Sequence, residues 1–123
     1  MKKYAIIVAG GTGSRMGSTV PKQFLEINGK SLLRYTAEAF QSAFFDIHLL
    51  IVLPEEHMET GKEMFDMKEN IVPIEFVAGG NTRFQSVKNG LRSVSGPSVV
   101  FVHDAVRCLV SPELIRRCGN QAI

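Results

Sequence analysis

The chain has 123 residues, of which 45% are hydrophobic and 21% are charged, and its formal net charge is +2. This length and apolar content predict one packed domain and exclude a disordered polypeptide. The small, evenly spread net charge argues against a nucleic-acid partner, and no apolar run reaches the roughly 18 residues that a membrane span needs.

The first half of the chain alternates between strand and helix patterns. The run Tyr4–Ala9 is continuously apolar, which favours a strand buried on both faces. Ser31 begins a segment with apolar residues at helical spacing, so we predict a helix there. Ile47–Leu53 predicts a second buried strand that Pro54 ends, and residues 55 to about 67 predict a weaker helix.

The second half continues the alternation. Ile74–Val77 predicts a third strand, and Thr82 can cap a helix after it. The predicted apolar face of that helix consists of Phe84, Val87, Leu91 and Val94. Ser98–Val102 predicts a fourth strand, and Ser111 can cap a last helix with Pro112 at its first position.

The repeated strand–helix order predicts the fold class. It indicates an α/β, Rossmann-like three-layer fold, with a mostly parallel sheet and helices on both faces. In such sheets ligands bind beyond the carboxyl ends of the strands. Three of these ends carry Gly10–Gly11, Gly79–Gly80 and His103–Asp104. We therefore expect the three pairs to meet at one cleft.

The loop after the first strand has the composition of a phosphate-binding loop. Its three glycines at positions 10, 11 and 13 let the backbone approach a ligand and turn N–H groups toward anionic oxygens. It lacks the Gly-Lys-Ser/Thr end of a Walker loop, and Met16 stands where a dinucleotide fingerprint needs glycine. Arg15 within the loop and Lys22 after Pro21 are two cations that suit a triphosphate. The alternative is a tight strand-to-helix turn with solvated charges.

Three segments together resemble the signature of the 2-C-methyl-D-erythritol 4-phosphate cytidylyltransferases. They are the glycine loop (residues 9–17 with 21–24), the second segment (residues 79–87) and the third segment (residues 102–107). The glycine loop alone is shared with guanylyltransferases and sugar-phosphate nucleotidyltransferases. The resemblance implies a fold of the nucleotide-diphospho-sugar transferase type.

The resemblance also implies roles for individual residues. Arg15 and Lys22 would be catalytic, holding the CTP phosphates and stabilising the transition state. Asp104 would bind Mg²⁺, and Arg107 would face the phosphorylated substrate. The nucleotide-binding positions would be Ala9, Gly10, Gly11, Thr12, Gly13, Gly80, Asn81 and Ser86.

Several of these positions have structural alternatives. Asp104 could cap a helix or pair with Arg107, and Arg83 could pair across the fold instead of touching a ligand. Ser86 could be a small packing residue, and His103 is given no role. Cys108 stands where the family usually has proline, which puts the shape of the acceptor side in doubt.

Members of the resembled family are about twice as long as this chain. Residues 1–123 would then be the nucleotide-binding N-terminal part of a single, truncated cytidylyltransferase domain, with a homodimer expected for the full-length protein. Cys108 and Cys118 lack metal-ligand spacing, and no signal peptide is expected, so we predict a cytoplasmic protein with free thiols.

Three functions are compatible with these observations. The first is transfer of CMP from CTP to 2-C-methyl-D-erythritol 4-phosphate, which gives a CDP-alcohol and pyrophosphate in non-mevalonate isoprenoid biosynthesis. The second is the same reaction with ribitol 5-phosphate as the polyol phosphate. The third is a non-catalytic nucleotide-binding module.

Overall fold

The computed structural model describes residues 2–9, 26–27, 30–63, 65, 74–105 and 111–122. The strands are β1 (Lys2–Val8), β2 (Glu26–Ile27), β3 (Lys30–Ser31), β4 (His48–Leu53), β5 (Ile74–Ala78) and β6 (Ser98–Asp104). The helices are α1 (Leu32–Ala43), α2 (Met58–Glu63), α3 (Arg83–Leu91) and α4 (Pro112–Ala122), and a 3₁₀ turn spans Glu55–His57. The predicted alternation of strands and helices is confirmed, and the boundaries of most elements are shifted by one or two residues.

Within the described residues the main sheet has four parallel strands in the order β5-β4-β1-β6. The register places Val8 opposite both Val52 and Asp104, and Leu53 opposite Ala78. The predicted parallel sheet is therefore confirmed, and its strands end together at one edge.

The side chains of β1 alternate between two hydrophobic clusters, one on each face of the sheet. Ala5 and Ile7 belong to a cluster that includes α1 and α4, and Ile6 and Val8 belong to a cluster that includes α3. Helices thus cover both faces, which makes the three-layer α/β architecture that the chain order predicts.

Both predicted helix caps are present. The Thr82 hydroxyl accepts a hydrogen bond of 3.0 Å from Gln85 N, and the Ser111 hydroxyl accepts one of 3.1 Å from Leu114 N. Ser31 caps α1 in the same way, accepting a hydrogen bond of 3.2 Å from Arg34 N. Each bond satisfies a backbone donor that a first helical turn leaves without an intrahelical partner.

The predicted apolar face of α3 is half wrong. Val87 packs against the sheet, but Phe84 is 76% exposed and Leu91 is 45% exposed. The buried residues of α3 are Ser86 and Gly90. A Cβ atom on Gly90 would lie 2.9 Å from Ile6 Cγ2, so the small residues bring this helix close to the strands and rotate the larger apolar ones outward.

Two other details differ from the prediction. The helix expected over residues 55–67 is a 3₁₀ turn followed by α2, which ends at Glu63, and Phe65 is buried beyond it. Met64 and residues 66–67 lie outside the described residues. The antiparallel pair β2–β3 was not predicted, because two residues in each strand carry no detectable periodicity.

Candidate active site

The backbone at the carboxyl edge of the sheet is held by hydrogen bonds between neighbouring strands. Three backbone N–H groups donate to carbonyls there: Ala9 N to Val52 O (2.8 Å), Gly79 N to Leu53 O (2.7 Å) and Ala105 N to Val8 O (2.9 Å). Of the three donors, Ala9 begins the glycine loop, Gly79 begins the second segment, and Ala105 lies in the third segment. The strand ends that lead into the three segments therefore lie side by side, as the parallel sheet predicts, while Gly10 and Gly11 lie outside the described residues.

The turn between β5 and α3 is packed so closely that it needs glycine at two positions. A Cβ atom on Gly79 would lie 2.9 Å from Ser86 Oγ, and one on Gly80 would lie 2.2 Å from Gln85 Cγ. The glycines therefore let this turn fold against the first turn of α3 without a side chain between them.

Ser86 connects α3 to the same turn. Its side chain is 2% exposed, and its hydroxyl oxygen accepts a hydrogen bond of 3.1 Å from Gly80 N. Ser86 is thus a packing residue that also forms a specific hydrogen bond. Gly80, Asn81 and Thr82 beside it are exposed, so the backbone that Ser86 supports is accessible to a ligand.

Two amide side chains that the sequence analysis missed fix the other side of this turn. Gln85 Nε2 donates to Asn89 Oδ1 over 2.9 Å, and Asn89 Nδ2 donates to the backbone carbonyl of Ala78 over 3.0 Å. The spacing of four residues on a predicted helix was the available signal, because such side chains are neighbours on a helix surface.

Asp104 ends β6 and forms an ion pair with the first residue of α3. Arg83 Nε donates to Asp104 Oδ1 over 3.1 Å, and the two side chains are 58% and 32% exposed. Arg83 therefore pairs across the fold, which is one of the two roles considered for it, and its contact with a ligand stays a prediction. Exposed pairs of this kind contribute about 0–1 kcal/mol to the free energy of unfolding, so stability alone gives little reason for the contact.

The backbone that follows Asp104 is held from the opposite layer of the fold. Thr36, fully buried in α1, donates its hydroxyl proton to the carbonyl oxygen of Ala105 over 2.8 Å. The neighbouring His103 has its ring 5.7 Å from the Phe40 ring in an edge-on contact. His103 is therefore packed against α1.

The single carboxylate of Asp104 suits a cation that is also bound by the phosphate oxygens of a ligand. Mg²⁺ is commonly held by one or two carboxylates together with phosphate oxygens. In the described part of the chain no group of three or more His, Cys, Asp or Glu side chains could hold a metal by itself. A partly exposed carboxylate at the strand end fits Mg²⁺ that is bound together with a nucleotide.

Several predicted site residues lie outside the described residues, so their roles stay predictions. They are Gly10, Gly11, Thr12, Gly13, Arg15, Lys22 and Arg107. Cys108 also lies outside them. Among the helices that the structure does describe, none has the length and apolar character to cross a bilayer.

Solved structures share this fold. A 4-diphosphocytidyl-2C-methyl-D-erythritol synthase from Anaerococcus prevotii matches with a TM-score of 0.81 and 24% identity, over 98% of this chain and 51% of that one. A protein from Mycobacterium tuberculosis, solved in complex with manganese, matches with a TM-score of 0.74 and 17% identity, over 99% of this chain and 60% of that one. These likenesses confirm the fold class.

Curated relatives are closer in sequence. The 2-C-methyl-D-erythritol 4-phosphate cytidylyltransferase of Bacteroides thetaiotaomicron is 48% identical over 122 residues, which cover 99% of this chain and 56% of the relative. The enzyme of the same name from Porphyromonas gingivalis is 46% identical over 121 residues, 98% of this chain and 54% of the relative. The chain thus spans about half the length of the curated relatives it matches.

The family expected from the three segments is matched by a sequence model as well. The model of the 2-C-methyl-D-erythritol 4-phosphate cytidylyltransferases, IspD, covers residues 3–122 of this chain. That range contains the glycine loop, the second segment and the third segment in full. The chain belongs to the 2-C-methyl-D-erythritol 4-phosphate cytidylyltransferase family.

Proposed function

We propose that the protein carrying this chain transfers CMP from CTP to 2-C-methyl-D-erythritol 4-phosphate, with release of pyrophosphate. The observation that carries the proposal is the contact between the second and third segments at the carboxyl edge of the sheet, made by Arg83 and Asp104. Family membership supports the acceptor and the cytidylyl group, because the curated relatives are named 2-C-methyl-D-erythritol 4-phosphate cytidylyltransferases.

The nucleotide would lie against the glycine loop and the turn after β5. Residues 9–13 would approach the nucleotide with backbone N–H groups, and Gly80 and Asn81 would present backbone to the cytosine. Ser86 would act on the base through Gly80, because its hydroxyl oxygen already accepts the Gly80 N–H. The exposure of Gly80 and Asn81 supports this assignment.

The chemical step needs charge stabilisation more than proton transfer. An oxygen of the acceptor phosphate would attack the α-phosphorus of CTP, and the bond from that phosphorus to the oxygen bridging the α- and β-phosphates would break as pyrophosphate leaves. A phosphate monoester is largely dianionic at neutral pH, since its second pKa is about 6, so no general base is required. Arg15 and Lys22 would stabilise the charge that develops on the α-phosphate of CTP in the transition state.

Mg²⁺ is the proposed metal, with Asp104 as its ligand in the described part of the chain. When bound, the cation would neutralise charge on the phosphate oxygens. A divalent metal is also supported by the manganese in the Mycobacterium tuberculosis structure of the same fold. The Asp104 side chain is 32% exposed, which supports its availability to a cation.

The remaining assignments follow from the family. Arg107 would face the polyol phosphate, and residues 1–123 would form the nucleotide-binding part of a single domain. The full-length protein would be a cytoplasmic homodimer. Light scattering on the purified full-length protein tests the dimer, and a mass equal to one chain would contradict it.

The function is tested by measuring pyrophosphate release from CTP, UTP, ATP and GTP with Mg²⁺. Each nucleotide is assayed without acceptor, with methylerythritol phosphate and with ribitol 5-phosphate, on the full natural chain. We expect release only with CTP and methylerythritol phosphate together. Release with ribitol 5-phosphate in its place would reassign the acceptor, and nucleotide binding without any release would favour a non-catalytic module.

A further inference from the structure

The ion pair between Arg83 and Asp104 joins the two proposed halves of the nucleotide site. We propose that Arg83 is a place-holding cation: its guanidinium neutralises Asp104 while the site is empty and moves to the nucleotide phosphates when the metal and nucleotide bind. This inference rests on the proposed function of the site, since it needs a metal at Asp104 and a phosphorylated ligand beside it.

The backbones on both sides of this contact are firmly held. The N-cap Thr82 precedes Arg83, and its side chain accepts from Gln85 N over 3.0 Å while its carbonyl accepts from Ser86 N over 3.0 Å. Asp104 lies opposite Val8 in the sheet. A change in this ion pair can therefore be made by the long Arg83 side chain, with no movement of α3 or β6.

The contact itself is easily exchanged. It joins one guanidinium nitrogen, Nε, to one carboxylate oxygen, and the Arg83 side chain is more than half exposed. A guanidinium has five N–H donors, so a single-nitrogen contact leaves capacity for phosphate oxygens. A divalent cation carries twice the charge of Arg83 and attracts the carboxylate more strongly at equal distance.

The arrangement favours exchange over simultaneous binding. Arg83 Nε already lies 3.1 Å from Asp104 Oδ1. Mg²⁺ lies about 2.1 Å from its carboxylate ligand, so a cation on the same carboxylate would come within about 5 Å of the guanidinium. The like charges would repel each other, and phosphate oxygens next to the metal would be the nearest anionic partners for the displaced Arg83.

The test compares Arg83→Gln with Arg34→Gln. Arg34 forms a similar contact elsewhere, with its Nε 3.4 Å from Glu38 Oε1, and its replacement changes the net charge by the same amount.

Mn²⁺ binding without nucleotide is measured by water-proton relaxation, and CTP binding at saturating Mn²⁺ is measured by calorimetry. We expect Arg83→Gln to bind Mn²⁺ alone about 3- to 5-fold more tightly and CTP about 10-fold more weakly. Arg34→Gln should match the wild type in both measurements.

Other results for the Arg83 variants would contradict the proposal, each in a different way. Weaker binding of Mn²⁺ alone by Arg83→Gln would make Arg83 a residue that orients Asp104. Unchanged binding of Mn²⁺ and CTP would make the contact an ordinary surface ion pair.

Arg83→Lys keeps a cation and should return Mn²⁺ affinity toward the wild-type value, and failure to do so would also contradict the proposal. If the wild type binds Mn²⁺ but not CTP, the proposed function fails, while the metal measurement still decides whether Arg83 competes at Asp104.

Discussion

The hydroxyl oxygen of Ser86 accepts a hydrogen bond of 3.1 Å from the backbone N–H of Gly80. This bond joins the first turn of α3 to the turn that follows β5, and it lies beneath exposed backbone at the carboxyl edge of the sheet. The side chain proposed to recognise cytosine is therefore buried, and any effect of Ser86 on a ligand would be transmitted through the shape of the glycine turn.

Replacing Ser86 by alanine should show whether Ser86 supports the turn through its hydrogen bond or only fills space in the core. Ser86→Ala removes the acceptor for Gly80 N–H, and we expect a loss of about 1 kcal/mol in the free energy of unfolding. Because the turn loses its support, the dissociation constant of CTP should rise about 5- to 10-fold in calorimetry. Ser95→Ala, at an exposed position away from this edge, is the matched control. A Ser86→Ala protein that binds CTP as tightly as the wild type would leave Ser86 with a packing role only.

Thr36 should matter for its hydroxyl group and not only for its volume. Thr36→Val keeps the shape but leaves the carbonyl of Ala105 without the donor that lies 2.8 Å away. A buried acceptor without a partner costs about 1–3 kcal/mol, so thermal unfolding should occur at a clearly lower temperature. Thr60→Val, at an exposed position on α2, should change the unfolding temperature little. Equal stability of Thr36→Val and the wild type would show that this hydrogen bond contributes nothing.

Asp104→Asn should change the metal dependence of turnover while the fold is kept. The substitution is nearly isosteric, and the exposed ion pair with Arg83 that it weakens is worth only about 0–1 kcal/mol. The Mg²⁺ concentration for half-maximal activity should rise about 10-fold or more, because a carboxylate is a far better Mg²⁺ ligand than an amide. Asp46→Asn removes the same charge from the pair with Lys3 and serves as the control. Full activity of Asp104→Asn at low Mg²⁺ would place the metal elsewhere.

The two cations of the glycine loop should differ in their kinetic effects. Lys22→Ala should lower kcat by about 100-fold or more with a smaller effect on KM for CTP, because an interaction that strengthens in the transition state is lost. Arg15→Ala should change both constants, since Arg15 would also hold the triphosphate in the ground state. Lys22→Arg should not restore kcat, because a guanidinium differs in size and shape from an ammonium. If Lys22→Ala raised only KM, Lys22 would be a binding residue without a role in the chemical step.

The elements that could be predicted from the sequence are those with a local signal. Most of β1 and of β4 is a continuous apolar run, and α1 combines a serine cap with apolar residues at helical spacing. The convergence of the three segments followed from the parallel sheet alone, because parallel strands end at a common edge. The family resemblance added candidate roles that periodicity cannot supply.

The features that could not be predicted depend on contacts between distant residues. Pairing of Arg83 across the fold was one expectation, but its partner Asp104 lies 21 positions away and has no local signal. Thr36 and Ala105 are 69 positions apart. Half of the predicted face of α3 is wrong because apolar spacing favours Phe84 and Leu91, whereas Gly90 allows a closer approach to the sheet. Close packing at a glycine is a property of the assembled layers, and it leaves no periodic trace in the sequence.

The fate of labelled phosphorus tests the central claim most directly. CTP carrying ³²P at either the α or the γ position is incubated with methylerythritol phosphate, Mg²⁺ and the full natural chain, and the products are separated. We predict that the α label appears in the CDP-alcohol and that the γ label appears in pyrophosphate, because the bond to the α-phosphorus is the one that breaks. Recovery of the γ label as inorganic phosphate, or of both labels in intact CTP, would contradict a cytidylyl transfer.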